Sequence, residues 1–329
     1  MTVLRWSVEE ASEAVASPEL DRRVGVAMGI AAVAVDLGSD SGADIAALLT
    51  KLPVVAIGVG PNADSRWDIT TTDPEPALAG VTATPIAAVT VTQVLRESET
   101  RSVAEGFLIE SLAYATLQSG AEFDAWLGAR VAKEEGDDAP RITIVERDDS
   151  IDVVMTRPQQ HNSLDARMRD ELVEAFRTII LRPATPVRLL GQGPSFCAGG
   201  DLAEFGTVSD PATAHSLRSS ANIAPWLHQI APRTTAMVHG ACIGAGVELA
   251  AFCAAVVADP ETRFRLPETQ MGLMPGAGGT VSIPARIGRR RTLEWLLSGT
   301  EIDASTALEW GLVDRISERQ PNTNGPEGP

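Results

Sequence analysis

Three glycine-rich segments in the second half of the chain constrain its fold more than any other feature. They are SFCAGGDLAEF (195–205), HGACIGAGVELAAFC (239–253) and LPETQMGLMPGAGGT (266–280). In the first two, glycines let the backbone turn tightly from a strand into a helix, whose N-terminus presents N–H groups to negative charge. The second segment places Glu248 in the first turns of its helix, and in the third Glu268 follows Pro267. Each segment alone is a weak signal, because glycine-rich loops before helices are common, but the three together in this order and spacing form a specific pattern.

The apolar periodicity around these segments predicts an α/β fold with parallel sheets. ITIVERDDSIDVVMTRP (141–157) is typical of two short strands around a turn. Leu164, Met168, Leu172 and Phe176 recur at intervals of four, which indicates one face of a helix. A strand at 187–190 follows, and a second strand, helix and strand are predicted at 234–238, 244–253 and 255–258. Strand, helix, strand in this order indicates βαβ units.

The composition excludes several classes of protein. The chain has 329 residues, 44% of them hydrophobic, which suits a globular enzyme. A net charge of −17 argues against nucleic-acid binding and means that an anionic ligand needs a local basic patch. The longest apolar run, 24–35, is too short to span a membrane, and the N-terminus does not resemble a signal peptide. Three scattered cysteines, without metal-ligand spacing, favour buried free thiols and a cytoplasmic location.

The first half contains a weak internal repeat of the second. Residues 53–68 align without gaps with residues 186–201, an offset of 186 − 53 = 133. The matching pairs are Pro53/Pro186, Val54/Val187, Gly58/Gly191, Gly60/Gly193, Pro61/Pro194 and Asp68/Asp201. Chance similarity between two βα units remains the alternative, because Gly and Pro are common at strand ends. The first copy lacks the CAGG segment and has Asp64-Ser65-Arg66-Trp67 in its place.

Helices are predicted at 91–97 and 103–118, between this repeat and an acidic stretch, KEEGDDAP (133–140). The second helix is expected to present a broad apolar face formed by Phe107, Leu108, Leu112, Tyr114, Ala115 and Leu117. The acidic stretch contains Gly and Pro and is typical of a linker. The last residues, 317–329, are polar and rich in proline, which predicts disorder.

Residues 141–316 resemble the crotonase (enoyl-CoA hydratase/isomerase) superfamily. The resemblance is carried by CAGGDL, GAGVELA, PETQMGLMPGAGGT and the later LSGTEIDASTALEWGLVDRI. It implies a spiral of ββα units with parallel sheets, in addition to the helical segments of the N-terminal half. It also implies an oxyanion hole for a coenzyme A thioester, formed by the backbone N–H groups of Gly200 and Ala245. Ala245 stands where glycine is commoner in the family.

The resemblance further implies that Glu248 and Glu268 are the acid–base pair of an enoyl-CoA hydratase, a lyase of fatty acid metabolism. The pair would hold water over the β-carbon of a trans-2-enoyl-CoA. Another acyl-CoA reaction on the same fold (isomerisation or hydrolysis) and a non-catalytic CoA-ester-binding subunit remain alternatives. No metal or other cofactor is expected, because the CoA thioester is itself the substrate. Substrate-binding positions are expected at Arg157, Ala198, Asp201, Leu202, Gly244, Pro275 and Gly276.

The resemblance breaks down at the C-terminus, because family members usually continue through helices that cover the acyl pocket and build trimers. Residues 84–130 look like that missing helical tail and end in the acidic-aromatic GAEFDAW. We therefore expect residues 1–132 to form a shortened, non-catalytic crotonase-like unit, whose helices cover the catalytic core of the same chain or of a neighbouring subunit. The chain is expected to form a homo-oligomer, a trimer or a dimer of trimers. The four histidines have no predicted Ser or Cys partner, and Ser195 and Cys197 are expected to be structural.

Overall fold

The computed structural model describes residues 1–130, 139–208 and 210–318. Its first half combines a parallel sheet with helices on both sides of it. The elements are β1 (Thr2–Ser7), α1 (Val8–Ala16), α2 (Leu20–Arg23), β2 (Ile30–Asp36), α3 (Ala43–Leu49), β3 (Val55–Val59), β4 (Ile69–Thr71), α4 (Glu75–Ala83), α5 (Pro85–Arg96), α6 (Val103–Gln118) and α7 (Ala121–Gly128). The four strands pair in chain order, and all three pairings are parallel.

The second half repeats the alternation of strands and helices. Its elements are β5 (Ile142–Glu146), β6 (Ile151–Met155), α8 (Ala166–Ile180), β7 (Val187–Gly191), α9 (Pro211–Ser220), α10 (Ala224–Ile230), β8 (Thr234–Val238), β9 (Ala241–Ile243), α11 (Ala245–Phe252), β10 (Ala255–Ala258), β11 (Arg263–Arg265), α12 (Gly279–Ile287), α13 (Arg289–Ser298), β12 (Ile302–Asp303), α14 (Ala304–Trp310) and β13 (Arg315–Ile316). Short 3-10 helices lie at Val26–Met28, Pro158–Gln160, Leu202–Glu204, Ala231–Arg233 and Glu268–Met271.

Two sheets organise this half. Six strands run in the order β13-β10-β8-β7-β6-β5, parallel except for β5, which forms a hairpin with β6. A three-stranded sheet, β12-β11-β9, lies beside the glycine-rich turns. The predicted α/β fold with parallel sheets is confirmed. The turn after β7 lies against β9 of the smaller sheet, through a bridge between Cys197 and Cys242.

One hydrophobic core runs through both halves. Val89, Leu95 and Phe123 from the first half belong to the same buried cluster as Met168 and Leu296 from the second. A smaller cluster, confined to the first half, lies between β2, β3 and the helices α1 and α3. Helices α5 and α6 pack against the second half, and α6 lies against α9 and α12. The division into a shortened crotonase-like unit, residues 1–132, and a catalytic core stays a prediction.

The two segments of the sequence repeat differ where chemistry would need them to agree. Trp67 occupies the position of Gly200 and is fully buried, with its indole N–H donated to the Ser41 carbonyl. A Cβ atom on Gly58 would lie 2.8 Å from the Trp67 ring, so glycine is needed there for packing. The first copy therefore fills its turn with a side chain instead of leaving an open backbone.

The remaining boundaries stay predictions. The linker at 133–140 lies outside the described residues except for its last two positions, and so do residues 319–329 of the predicted disordered tail. Within the described part of the chain, no single helix is long and apolar enough to cross a membrane. Helices α4 and α5, bent by 115° where they meet, pass that test only as a pair.

Candidate active site

A cavity of about 720 Å³ opens where the three glycine-rich segments meet, within the usual size of a small-molecule site. Its wall includes all four residues predicted to do chemistry: Gly200, Ala245, Glu248 and Glu268. Ala198, Asp201, Leu202, Gly244 and Gly276 also line it, as predicted for substrate-binding positions. The first half of the chain contributes Tyr114 and Gln118.

Gly200 and Ala245 line the cavity, and the backbone N–H group of neither residue donates to an acceptor among the described residues. Ala245 is the first residue of α11, so its N–H is one of those that a helix leaves free. Gly244 precedes it with φ 51° and ψ −118°. A Cβ atom there would lie 2.7 Å from Oε1 of Glu268, so glycine both makes the turn and admits the carboxyl group.

Glu248 lies one turn into α11 and is 2% exposed. Its Oε2 atom accepts hydrogen bonds from the backbone N–H groups of Ala277 (2.6 Å) and Gly279 (2.8 Å). Burial, together with the neighbouring carboxyl groups of Glu110 and Glu268, raises the pKa of Glu248, and the two backbone donors oppose that rise.

Glu268 begins the 3-10 helix that follows Pro267 and is 9% exposed. Its Oε2 atom is buried and has no hydrogen-bond partner among the described residues. Burial, with a smaller contribution from the charge of Glu110, raises the pKa of Glu268 to about 7. A carboxyl group of this kind exchanges its proton near neutral pH, as a general acid or base needs to do.

Glu110, on α6 of the first half, is a third buried carboxyl group that sequence reasoning missed. Its Oε1 atom accepts a hydrogen bond from the Gly278 N–H (2.7 Å). Its Oε2 atom accepts from the Thr280 N–H (2.9 Å) and the Thr280 hydroxyl (2.7 Å). Burial raises the pKa of Glu110, and these three donors and the Arg218 guanidinium oppose the rise.

The predicted apolar face of this helix was wrong in part. Leu108 and Leu112 are 52% and 48% exposed, whereas the side turned to the second half carries Glu110, Tyr114 and Gln118. These three residues recur at intervals of four and so share one face of the helix. The spacing of these three residues could have predicted a polar helix face directed towards the site. The apolar residues between them led to the prediction of an apolar face instead.

Arg218 of α9 and Tyr114 of α6 line the cavity beside Gly276. The guanidinium carbon lies 3.5 Å from the centre of the Tyr114 ring, which is a cation–π contact. Arg218 also donates from Nη1 to the Gly276 carbonyl at 3.1 Å. Burial raises the pKa of Tyr114. A positive charge therefore lies beside the loop that carries the donors to Glu248 and Glu110.

Two predicted substrate-binding residues do not line the cavity. Arg157 is 5% exposed, and its guanidinium is paired with Asp201 and Asp165, so it is not available to a CoA phosphate. It holds Asp201 in place instead, and Asp201 in turn accepts from the Ala203 N–H. Pro275 also lies outside the cavity wall, one residue from Gly276.

Two histidines have hydroxyl partners that the sequence did not predict. His161 Nδ1 lies 2.9 Å from the hydroxyl of Ser195, and His215 Nδ1 lies 2.9 Å from that of Ser111. None of these four residues lines the cavity. Within the described residues, no group of three or more His, Cys, Asp or Glu side chains could hold a metal ion.

The comparison that decides the family is a match of residues 146–321 to the enoyl-CoA hydratase/isomerase family model. The chain belongs to this family, within the crotonase superfamily. The predicted resemblance and the crotonase fold are thereby confirmed. Since the match begins at Glu146, α6 and Glu110 lie outside it.

Individual relatives support the same assignment. The enoyl-CoA isomerase/hydratase fer4 of Mycosarcoma maydis is 27% identical over 175 residues, which are 50% of this chain and 64% of that protein. An enoyl-CoA hydratase subunit I from Geobacillus kaustophilus HTA426 is 32% identical, with a TM-score of 0.51 over 54% of this chain and 69% of its own. A protein from Thermobifida fusca YX, described as an enoyl-CoA hydratase and solved with acetoacetyl-CoA, is 26% identical, with a TM-score of 0.50 over 54% of this chain and 74% of its own.

Proposed function

We propose that this chain is an enoyl-CoA hydratase, which adds water across the 2,3 double bond of a trans-2-enoyl-CoA. One observation carries the proposal. Two buried carboxyl groups, those of Glu248 and Glu268, line the same cavity as Gly200 and Ala245. The backbone N–H groups of these last two residues donate to no acceptor among the described residues. The family assignment and the acetoacetyl-CoA bound to the relative from Thermobifida fusca support an acyl-CoA ligand.

In the proposed reaction, the thioester oxygen lies between the N–H groups of Gly200 and Ala245. Negative charge grows on this oxygen as the hydroxyl group adds to C3 and an enolate forms. Fixed donors stabilise the developing charge more than the neutral ground state, so they lower the barrier.

The two carboxyl groups divide the proton transfers between them. Hydrogen bonds from backbone N–H groups favour an ionised carboxylate, and Glu248 accepts two of them. Burial raises the pKa of Glu248 well above its ordinary value, and these two donors oppose that rise; on this geometry we assign Glu248 as the base that takes the proton of water. Glu268, whose pKa is raised to about 7, supplies a proton to C2. Water addition moves one hydroxyl group and protons only, so the proposed reaction requires no redox cofactor or metal.

The proposal is tested by following the loss of conjugated thioester absorbance when trans-2-butenoyl-CoA and longer trans-2-enoyl-CoA esters are added. Mass spectrometry identifies the product, since a 3-hydroxyacyl-CoA has gained one water. Turnover that is lost in both Glu248→Gln and Glu268→Gln supports the two-carboxylate mechanism. Bound but unchanged esters would contradict it and favour a binding subunit, whereas a shifted double bond would favour an isomerase.

We also propose that the protein acts in the cytoplasm as a homo-oligomer. Exposed leucines on two adjacent helices, Leu108 and Leu112 on α6 and Leu217 on α9, offer an apolar surface for self-association. Light scattering of the purified chain measures the oligomeric state, and a monomer at micromolar concentration would contradict this part of the proposal.

A further inference from the structure

We propose that Glu110 is a positioning residue that completes the active site from the N-terminal half, by fixing the Gly276–Thr280 loop and holding a negative charge beside the two reacting carboxyl groups. The inference rests on the proposed function for its kinetic test only. Glu110 does not line the cavity, so it acts on the reaction through Glu248 and Glu268.

The number of hydrogen-bond donors distinguishes the three carboxyl groups. Glu110 accepts three hydrogen bonds, which use both of its oxygens. Glu248 accepts two, both on Oε2. The buried Oε2 of Glu268 accepts none among the described residues. Since donors stabilise an ionised carboxylate, these hydrogen bonds oppose the effect of burial most strongly at Glu110, the group that we propose to carry the negative charge.

The hydrogen bonds of Glu110 also fix the backbone of the Gly276–Thr280 loop. The N–H groups of Gly278 and Thr280 donate to Glu110. Those of Ala277, which precedes them, and Gly279, which lies between them, donate to Glu248. Successive backbone N–H groups at the start of α12 are therefore satisfied alternately from α6 and α11. These groups would otherwise be unpaired at a buried helix end, which costs free energy.

Few other charges act on Glu110. The Arg218 guanidinium of α9 favours the ionised form of Glu110. The negative charge of Glu110 repels the ionised forms of Glu248 and Glu268 and so raises the pKa of both. From α12 come only backbone N–H groups and the Thr280 hydroxyl. Among the described residues, α5, α7 and α10 place no charged side chain in hydrogen-bond or ion-pair contact with it. His215 of α9 bonds to Ser111, the next residue along α6.

The decisive variant is Glu110→Gln, which keeps the size of the side chain and removes its charge. We expect the alkaline limb of the profile of kcat/KM against pH to move to lower pH by on the order of one unit, because Glu268 then loses its proton more easily. Glu110→Asp retains the charge and should restore most of the wild-type profile. Glu309→Gln, an exposed site on α14, changes net charge equally and should leave the profile unchanged.

A titration without substrate separates this inference from the proposed function. Carboxyl ¹³C NMR of glutamate-labelled protein reports the same shift in the unliganded chain, even if the wild type does not hydrate enoyl-CoA. Unchanged titrations in a folded Glu110→Gln variant would overturn the proposal and leave Glu110 as a helix cap. If that variant does not fold, Thr280→Val removes one donor from Glu110 and must shift the titration in the same direction by less; no shift would also overturn it.

Discussion

Glu110 and Glu248 accept hydrogen bonds from alternate residues of one loop, although they lie on helices from opposite halves of the chain. The Ala277 and Gly279 N–H groups reach Glu248 at 2.6 and 2.8 Å, and the Gly278 N–H group reaches Glu110 at 2.7 Å. The loop that donates to the proposed base, Glu248, is therefore also held by Glu110 from the other half of the chain. The stability of the first half and the geometry of the site are linked as a result.

Replacing Glu248 by glutamine removes the proposed base and keeps its size. We expect kcat to fall by roughly 10²- to 10⁴-fold, the usual contribution of a general acid or base, with a much smaller change in KM. One amide oxygen can still accept from Ala277 and Gly279, so the variant should fold. Steady-state kinetics with trans-2-butenoyl-CoA and a thermal unfolding curve measure both effects. A kcat within a factor of about three of the wild type would exclude Glu248 as the base.

The N–H group of Ala245, the proposed oxyanion donor, can be removed without breaking a hydrogen bond among the described residues. Ala245 is the first residue of α11, where proline is well tolerated because the N–H is not used within the helix. In Ala245→Pro we expect kcat/KM to fall by roughly 10²- to 10³-fold. The matched control is Ala121→Pro, at an exposed position that also follows a glycine and begins a helix, α7. Equal kinetics in the two folded variants would contradict the assignment of this N–H group.

The raised pKa of Glu268 predicts how stability depends on pH. With an ordinary value of 4.5 in the unfolded chain and about 7 in the folded protein, the folded state binds the extra proton between these limits. The contribution of Glu268 to the free energy of unfolding is fully present below pH 4.5. It is lost as the pH rises through 7, by up to roughly 3 kcal/mol. Glu268→Gln should therefore gain stability relative to wild type between pH 5 and pH 8.

Urea unfolding at the two pH values measures this difference in the free energy of unfolding. Glu309→Gln, which removes an exposed charge, should give the same difference at both. A Glu268→Gln variant whose difference from wild type is also the same at pH 5 and pH 8 would contradict the raised pKa.

Local pattern was sufficient to predict most elements, and the resemblance to the crotonase superfamily predicted that Glu248 and Glu268 share one site, as they do in the cavity wall. Helix α6 begins and ends where the sequence places it, and the glycine-rich segments around Gly200 and Ala245 line the same cavity. Such features depend on glycine, on apolar periodicity and on neighbours in the chain. The predicted helix at 91–97 is longer than expected, since α5 begins at Pro85, a residue that favours the first helical position.

Contacts between distant segments could not be predicted in this way. The bond from Gly278 to Glu110 joins residues 168 positions apart, and no local pattern marks a glutamate that will be buried by another half of the chain. The error at Arg157 has the same origin. A basic residue near a predicted anion site fits a phosphate ligand until Asp165 and Asp201 are found to bind it first.

The contact of Tyr114 with the loop predicts that Gly276 does not tolerate a methyl group. Gly276 has no positive φ, so alanine fits its backbone. A Cβ atom would lie 2.5 Å from the Tyr114 ring and 3.0 Å from Nη1 of Arg218, which stacks on that ring. We expect Gly276→Ala to lower the free energy of unfolding by about 1–3 kcal/mol, the usual cost of overpacking, and to raise KM.

Gly128→Ala is the matched control, because nothing lies within 4 Å of a Cβ atom at Gly128 and alanine favours its helix. That variant should be as stable as the wild type or slightly more stable in urea unfolding. Combining Gly276→Ala with Tyr114→Ala removes the ring that the new methyl group meets, so Gly276→Ala should cost much less in that background. An equal cost of Gly276→Ala with and without the Tyr114 ring would show that the contact between the two halves does not determine this position.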